Sequence, residues 1–125
     1  MSITNQTCDS LSTLREQIDQ FARDRDWEKF HSPKNLSMAL TVEAAELMEI
    51  FQWEAPAADL TLLTERQKVA VEHEVADILI YLLRFCSATG IDPIAAAQAK
   101  LKLNAEKYPV SLAKGTSKKY TEYSE

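Results

Sequence analysis

Glu43, Glu46 and Glu49 recur at every third residue, and Glu74 and Asp77 repeat the same step further along the chain. On an α-helix that step falls about 60° short of a full turn, so each series forms one broad acidic stripe. The flanking residues are Val42, Ala44, Ala45, Leu47, Met48, Val75, Ala76 and Ile78, not the Lys or Arg partners of a solvated helix face. Unpartnered carboxylates held together in apolar surroundings repel one another and are costly to desolvate. A divalent cation relieves both. Magnesium suits the set best, because it takes oxygen ligands in octahedral geometry and keeps positions open for water and substrate phosphates. The His and Cys ligands of zinc are missing from it. A di-iron bundle uses Glu-x-x-His pairs, and the residue three before His73 is Ala70. Any one of these acids, taken alone, also fits a solvated face or a helix end. The four together, Glu43, Glu46, Glu74 and Asp77, point to a metal site.

Other reactive types share those stripes. Tyr81 and Arg84 follow Asp77 at helical steps, Trp53 follows Glu49, and Lys100, Asn104 and Lys107 make a polar stripe opposite Ile94, Ala97, Leu101 and Tyr108. Trp27 and His31 stand in an aromatic connection between helices. Singly, the tryptophans and Tyr81 read as core aromatics, the lysines as solvated, and His31 as a loop hydrogen-bonder. Together they offer acids for cations, bases for phosphates and aromatics for a nucleobase.

Four helices are predicted to carry these residues, at about 9–25, 33–53, 65–89 and 93–108, in a single all-α domain spanning 1–125 with a tail at 110–125 that shows no period. The first helix rests on Leu11, Leu14, Ile18, Phe21 and Ala22 at three- and four-residue steps. Ser32-Pro33 and Asp92-Pro93 each read as an N-cap followed by Pro at the first helical position. Thr64 with Gln67 fits a capping box, Gly90 is a C-terminal stop, and Pro56 ends the second helix. That second helix is apolar nearly all round, as is Ile78 to Cys86 except at Tyr81 and Arg84. A single small bundle would not cover so much apolar surface, so association with further copies is expected.

Only 2 Gly and 4 Pro occur in 125 residues, too few to punctuate a sandwich or barrel of short strands. The net charge of −5 is uneven: 33–77 carries nine acids against Lys34, Arg66 and Lys68, whereas 78–125 carries seven bases against four acids. An acidic middle opposes nucleic-acid binding, which needs a contiguous basic face. Its longest apolar run falls far short of the roughly 20 residues of a membrane span, and Met1 to Asn5 lacks a secretory pattern. A cytoplasmic protein is expected, with Cys8 and Cys86 both reduced.

Val42-Glu43-Ala44-Ala45-Glu46, Phe51-Gln52-Trp53 and Glu74-Val75-Ala76-Asp77-Ile78-Leu79-Ile80-Tyr81 resemble the MazG-like all-α nucleoside triphosphate pyrophosphohydrolases, most of all their dCTP pyrophosphatase branch. The likeness extends over Arg25-Asp26-Trp27, Phe30-His31, Asn35-Leu36, Gly90-Ile91-Asp92, Lys107-Tyr108-Pro109-Val110 and Lys119-Tyr120. It departs from the family pattern at Val42, where the motif has a further Glu, and at Ile18, where a histidine is expected. The resemblance implies a four-helix-bundle-like MazG fold. It further implies Mg²⁺ on Glu43, Glu46, Glu74 and Asp77, and a nucleoside pocket lined by Trp27, His31, Trp53, Asp77 and Tyr81. Lys100, Asn104 and Lys107 would reach phosphates across a subunit boundary in a homo-oligomer, a tetramer in preference to a dimer. The implied reaction cuts a deoxynucleoside triphosphate to monophosphate and pyrophosphate, in the service of removing unwanted nucleotides.

Glu49, one turn beyond Glu46, is the candidate for orienting or deprotonating the attacking water. Two other readings stand beside hydrolysis: a helical adaptor or nucleotide sensor without turnover, and a phosphohydrolase of prenyl or sugar diphosphates, for which Trp27, Trp53 and Tyr81 are less suited than for stacking on a base.

Overall fold

The computed structural model describes residues 10–54 and 59–124. Cys8, Asp9 and Pro56 lie outside them. No strand occurs among the described residues, and all four long helices form: α1 (Leu11–Asp24), α2 (Pro33–Phe51), α3 (Glu65–Thr89) and α4 (Pro93–Lys107). The fold divides after Gly90 into two compact units, 1–90 and 91–125.

The helix starts follow from the side chains at their caps. The hydroxyl of Ser10 accepts from the Thr13 N–H, and that of Ser32 accepts from the Asn35 N–H at 3.1 Å. Each thereby satisfies one of the amides that a helix N-terminus leaves without a partner. At the head of α3 the capping box closes both ways: the Gln67 N–H donates to Thr64 Oγ1 at 3.2 Å, and the Thr64 N–H donates to Gln67 Oε1 at 2.9 Å. Gly90 ends α3 in the left-handed region at φ 74°, a conformation that an L side chain would strain. The Asp92 carboxylate accepts from the Ile94 and Ala95 amides to start α4.

In the first unit α3 packs along α2 and against α1. Its core is small, consisting of Ile18, Ala22, Leu36, Leu63, Leu83 and Cys86, with Leu36 and Leu83 almost fully enclosed. Cys86 is a buried free thiol. Truncation of Leu83 to Ala is expected to cost about 2–5 kcal/mol, because methyl groups are lost and the surrounding helices cannot collapse fully onto the gap. Urea denaturation measures it, and a loss within error of zero would contradict this core.

The sequence suggests that α2 is buried on several sides, and in the single chain it is not. Only Leu36 is buried, while Met38, Val42 and Met48 are each more than half exposed. In this unit α2 packs chiefly on α3, which leaves its remaining apolar faces open. Val69, Val75 and Leu82 of α3 are exposed as well. No single helix among the described residues is long and apolar enough to cross a membrane.

In the second unit the segment after Pro109 is ordered although its sequence has no period. Past Pro109, whose fixed φ suits a helix start, Val110–Ala113 form a short helix, α5, and Tyr120–Glu122 a 3₁₀ turn. Two edge-to-face ring contacts at 5.9 Å bring Tyr120 and Tyr123 back onto Tyr108. Aromatic pairing, which no hydrophobic period announces, gives this segment its order.

Candidate active site

Glu43 and Glu46 come from the middle of α2, and Glu74 comes from the facing stretch of α3. One carboxylate oxygen from each lies within 4.8 Å of the other two. Glu74 Oε2 is buried and has no hydrogen-bond partner. Such an atom costs on the order of 1–3 kcal/mol or more unless something satisfies it. Glu43 carries the electrostatic strain of the group. Its hydrogen bond to Glu74, desolvation by burial, its hydrogen bond to Glu46 and the repulsion of both neighbours push its carboxyl up to about 7 from an ordinary 4.5. Three converging carboxylates, one of them with a buried oxygen that has no partner, form an all-oxygen set that fits a hard divalent cation.

Asp77 is not a member of that threesome. It stands one turn further along α3 and lines an adjoining cleft of about 280 Å³ together with Glu43, Tyr81, Trp27 and His31. Ile18, Phe21, Ala22, Ile80 and Arg84 complete the wall. Glu43 therefore belongs to both the acidic group and the cleft.

Local geometry explains how the loop after α1 delivers its aromatics. Asp26 takes φ 55°, the left-handed region that Asp tolerates better than most residues. The chain reverses there, with the Trp27 N–H donating back to the Ala22 carbonyl at 3.0 Å. Trp27 then meets Phe21 at 5.7 Å and His31 at 6.2 Å between ring centroids, both edge to face. Beyond His31, Asn35 Nδ2 donates to the Phe30 carbonyl at 3.0 Å, which ties the loop to the start of α2.

Behind the cleft lies a network that sequence reading did not anticipate. The Arg84 guanidinium is buried and pairs with Asp19 of α1, with 2.7 Å from Nη1 to Oδ1. Its Nε donates to His31 Nδ1 at 3.1 Å. Ser87 donates to the other oxygen of Asp19 at 2.7 Å and accepts from Arg15 Nε at 2.9 Å. Burial and the Arg84 charge hold the His31 pKa below its ordinary value, against a smaller opposing pull from Glu28. One signal for this network was present in the sequence: Arg84 is the only base in an apolar stretch of α3, and such a charge needs a partner from another helix.

The remaining candidates are placed elsewhere. Glu49 is exposed and outside the acidic group, and Trp53, past the end of α2, is 88% exposed. Lys100, Asn104 and Lys107 lie on α4 in the second unit, where Lys107 Nζ sits 5.1 Å over the Tyr120 ring.

Comparison with known proteins bears on what this arrangement is. Residues 38–123, which include all three members of the acidic group, match the MazG-like family. Human dCTP pyrophosphatase 1 is 38% identical over 114 residues, which cover 90% of this chain and 67% of that protein. The bovine protein of the same name is 39% identical over 116 residues, 90% of this chain and 68% of its own. A solved pyrophosphatase from Archaeoglobus fulgidus superposes with a TM-score of 0.74 at 40% identity, covering 86% of this chain and 99% of that one. The chain belongs to the MazG-like family, in its dCTP pyrophosphatase branch.

Proposed function

We propose that the chain hydrolyses a deoxypyrimidine triphosphate such as dCTP to the monophosphate and pyrophosphate, with Mg²⁺ on Glu43, Glu46 and Glu74 and with Asp77 at the edge of the same site. The broader activity, nucleoside triphosphate pyrophosphohydrolysis, is that of the curated relatives and follows from membership of their branch. The observation that supports the metal reading is the convergence of three carboxylates from two helices, one of them with a buried oxygen that has no partner, on the rim of an aromatic cleft.

A bound divalent ion supplies positive charge against the triphosphate and against the charge that develops on the leaving pyrophosphate. The chain's own residues do the rest. Glu43, Glu46 and Glu74 present oxygens in one place, Trp27 and Tyr81 offer aromatic surface to the base, and Asp77 presents a carboxylate between base and phosphates. Glu49 orients or deprotonates the water that attacks the α-phosphorus. Trp53 closes over the nucleoside, and Lys100, Asn104 and Lys107 serve phosphates across a subunit boundary in a homotetramer. The bundle is completed by that assembly, as one domain per chain, and the exposed apolar faces of α2 and α3 favour it. A cytoplasmic role in clearing unwanted nucleotides suits the reaction.

The test is a panel of deoxy- and ribonucleoside triphosphates, including 5-modified pyrimidines, run with Mg²⁺ in ¹⁸O-water. Pyrophosphate is expected, fastest from a deoxypyrimidine, with the label in the monophosphate because attack falls on the α-phosphorus. Label in the pyrophosphate would overturn the mechanism. No pyrophosphate from any substrate would leave the adaptor or sensor reading.

A further inference from the structure

His31 and Arg84 stand in the walls of two cavities at once, the aromatic cleft and a more polar neighbour of about 400 Å³ that also touches Asp19 and Ser87. The hydrogen bond between them is thus a partition between those spaces, and its direction is chemically constrained. An arginine Nε always carries its hydrogen and can only donate. His31 Nδ1, 3.1 Å away, must therefore be the accepting nitrogen. A neutral imidazole that accepts at Nδ1 carries its proton on Nε2.

Arg84 is in turn not free to turn away. Its side chain is 7% exposed, and Nη1 is held by Asp19 Oδ1 at 2.7 Å. Asp19 is fixed through its second oxygen by Ser87, which Arg15 secures from the other side. Four side chains from two helices thus lock one nitrogen–hydrogen vector on the loop residue His31. Nε2 makes no hydrogen bond to the described residues, so it is the polar atom that His31 has to offer a ligand.

We propose that Arg84 is a positioning residue for substrate recognition: braced by Asp19 and Ser87, it fixes His31 as the Nε2–H tautomer and so makes it an obligate hydrogen-bond donor to an acceptor on the bound nucleotide, a carbonyl oxygen or unprotonated ring nitrogen of the base. The inference rests on the reading that the aromatic cleft holds the nucleoside. Arg84 touches no substrate in this scheme. It sets which hydrogen-bond pattern the cleft accepts, and a base with only donors at that edge is rejected because His31 cannot reverse its role. Since the donor serves bound substrate and transition state alike, its loss raises KM and leaves kcat nearly unchanged.

The test has two arms. In the first, ¹⁵N-resolved imidazole spectra are recorded above the His31 pKa, with His73 as the only other histidine. Wild type is expected to show a pyridine-like Nδ1 and a pyrrole-like Nε2 at His31. Arg84→Lys keeps a cation for Asp19 but removes the Nε–H, and it should move both nitrogens toward a tautomer average. A wild-type Nδ1–H pattern, or an unchanged spectrum in Arg84→Lys, overturns the proposal. In the second arm, Arg84→Lys is expected to raise KM about tenfold, the value of one hydrogen bond to the ligand, and to do nothing further in a His31→Ala background. An equal rise in both backgrounds would mean that Arg84 acts other than through His31. If Arg84→Lys does not fold, Ser87→Ala, which frees one oxygen of Asp19, should give the same changes to a smaller degree, and an unaltered His31 spectrum there overturns the bracing. Absence of turnover in wild type would sink the proposed function, whereas the spectra decide the tautomer without any turnover.

Discussion

Glu74→Gln is expected to lower kcat/KM for the preferred triphosphate by on the order of a hundredfold or more, and at the same time to raise the melting temperature of the metal-free protein. The first effect follows from the loss of one anionic ligand out of three. Positioned charge that offsets negative charge in the transition state is the main catalytic resource of a site of this kind, and removal of one such group commonly costs about two to three orders of magnitude. The second effect has the opposite sign for the same reason. In the metal-free chain Glu74 crowds Glu43 and Glu46, and its Oε2 is buried without a partner. An amide of nearly the same size removes the charge while keeping the shape. A residue that weakens the fold while supporting turnover is the signature of a functional site. Initial rates at saturating Mg²⁺ and calorimetric melting in chelator check the pair. A variant that melts lower and still turns over normally would mark Glu74 as a structural residue.

The second large effect is on metal affinity as a function of pH. The Glu43 carboxyl is raised to about 7 by the acids around it. Because the folded pKa lies above the unfolded value near 4.5, the folded state holds this proton more tightly than the unfolded one. Its contribution to stability is therefore fully present below 4.5 and is lost as pH rises through about 7. A cation must displace the same proton. Apparent Mn²⁺ affinity is thus expected to climb about tenfold per pH unit below the Glu43 pKa and to level off above it. Titration calorimetry in buffers of different ionisation enthalpy should count about one proton released per ion on the acid side and none on the alkaline side. An affinity independent of pH across that range would mean that the ion binds elsewhere.

Much of this site could be read from the chain because helical spacing is a geometric rule. Glu43 and Glu46, three apart on α2, share a stripe, and Glu74 meets them because the long runs of α2 and α3 pack side by side. The helix ends were legible for an equally local reason. Ser32-Pro33, Thr64 with Gln67 and Gly90 each satisfy or stop a helix through bonds to residues at most four away. What depends on long-range contact was not legible. The Asp19–Arg84 pair joins residues 65 apart in sequence, and nothing near Asp19 marks it as a partner. Asp77 shares the acidic period and lines the cleft wall with Tyr81, outside the threesome. Tyr108, Tyr120 and Tyr123 hold the C-terminal segment by ring contacts that have no repeat to detect.

One ion bound jointly by acids from α2 and α3 is the central requirement of the proposed reaction, and crystals soaked in Mn²⁺ reveal whether it is met. Anomalous difference density is predicted in direct coordination range of Glu43, Glu46 and Glu74 oxygens in the wild type and much weakened in Glu74→Gln. Wild-type crystals with no peak there, or with manganese held by other residues while these three side chains remain paired with one another, would contradict it.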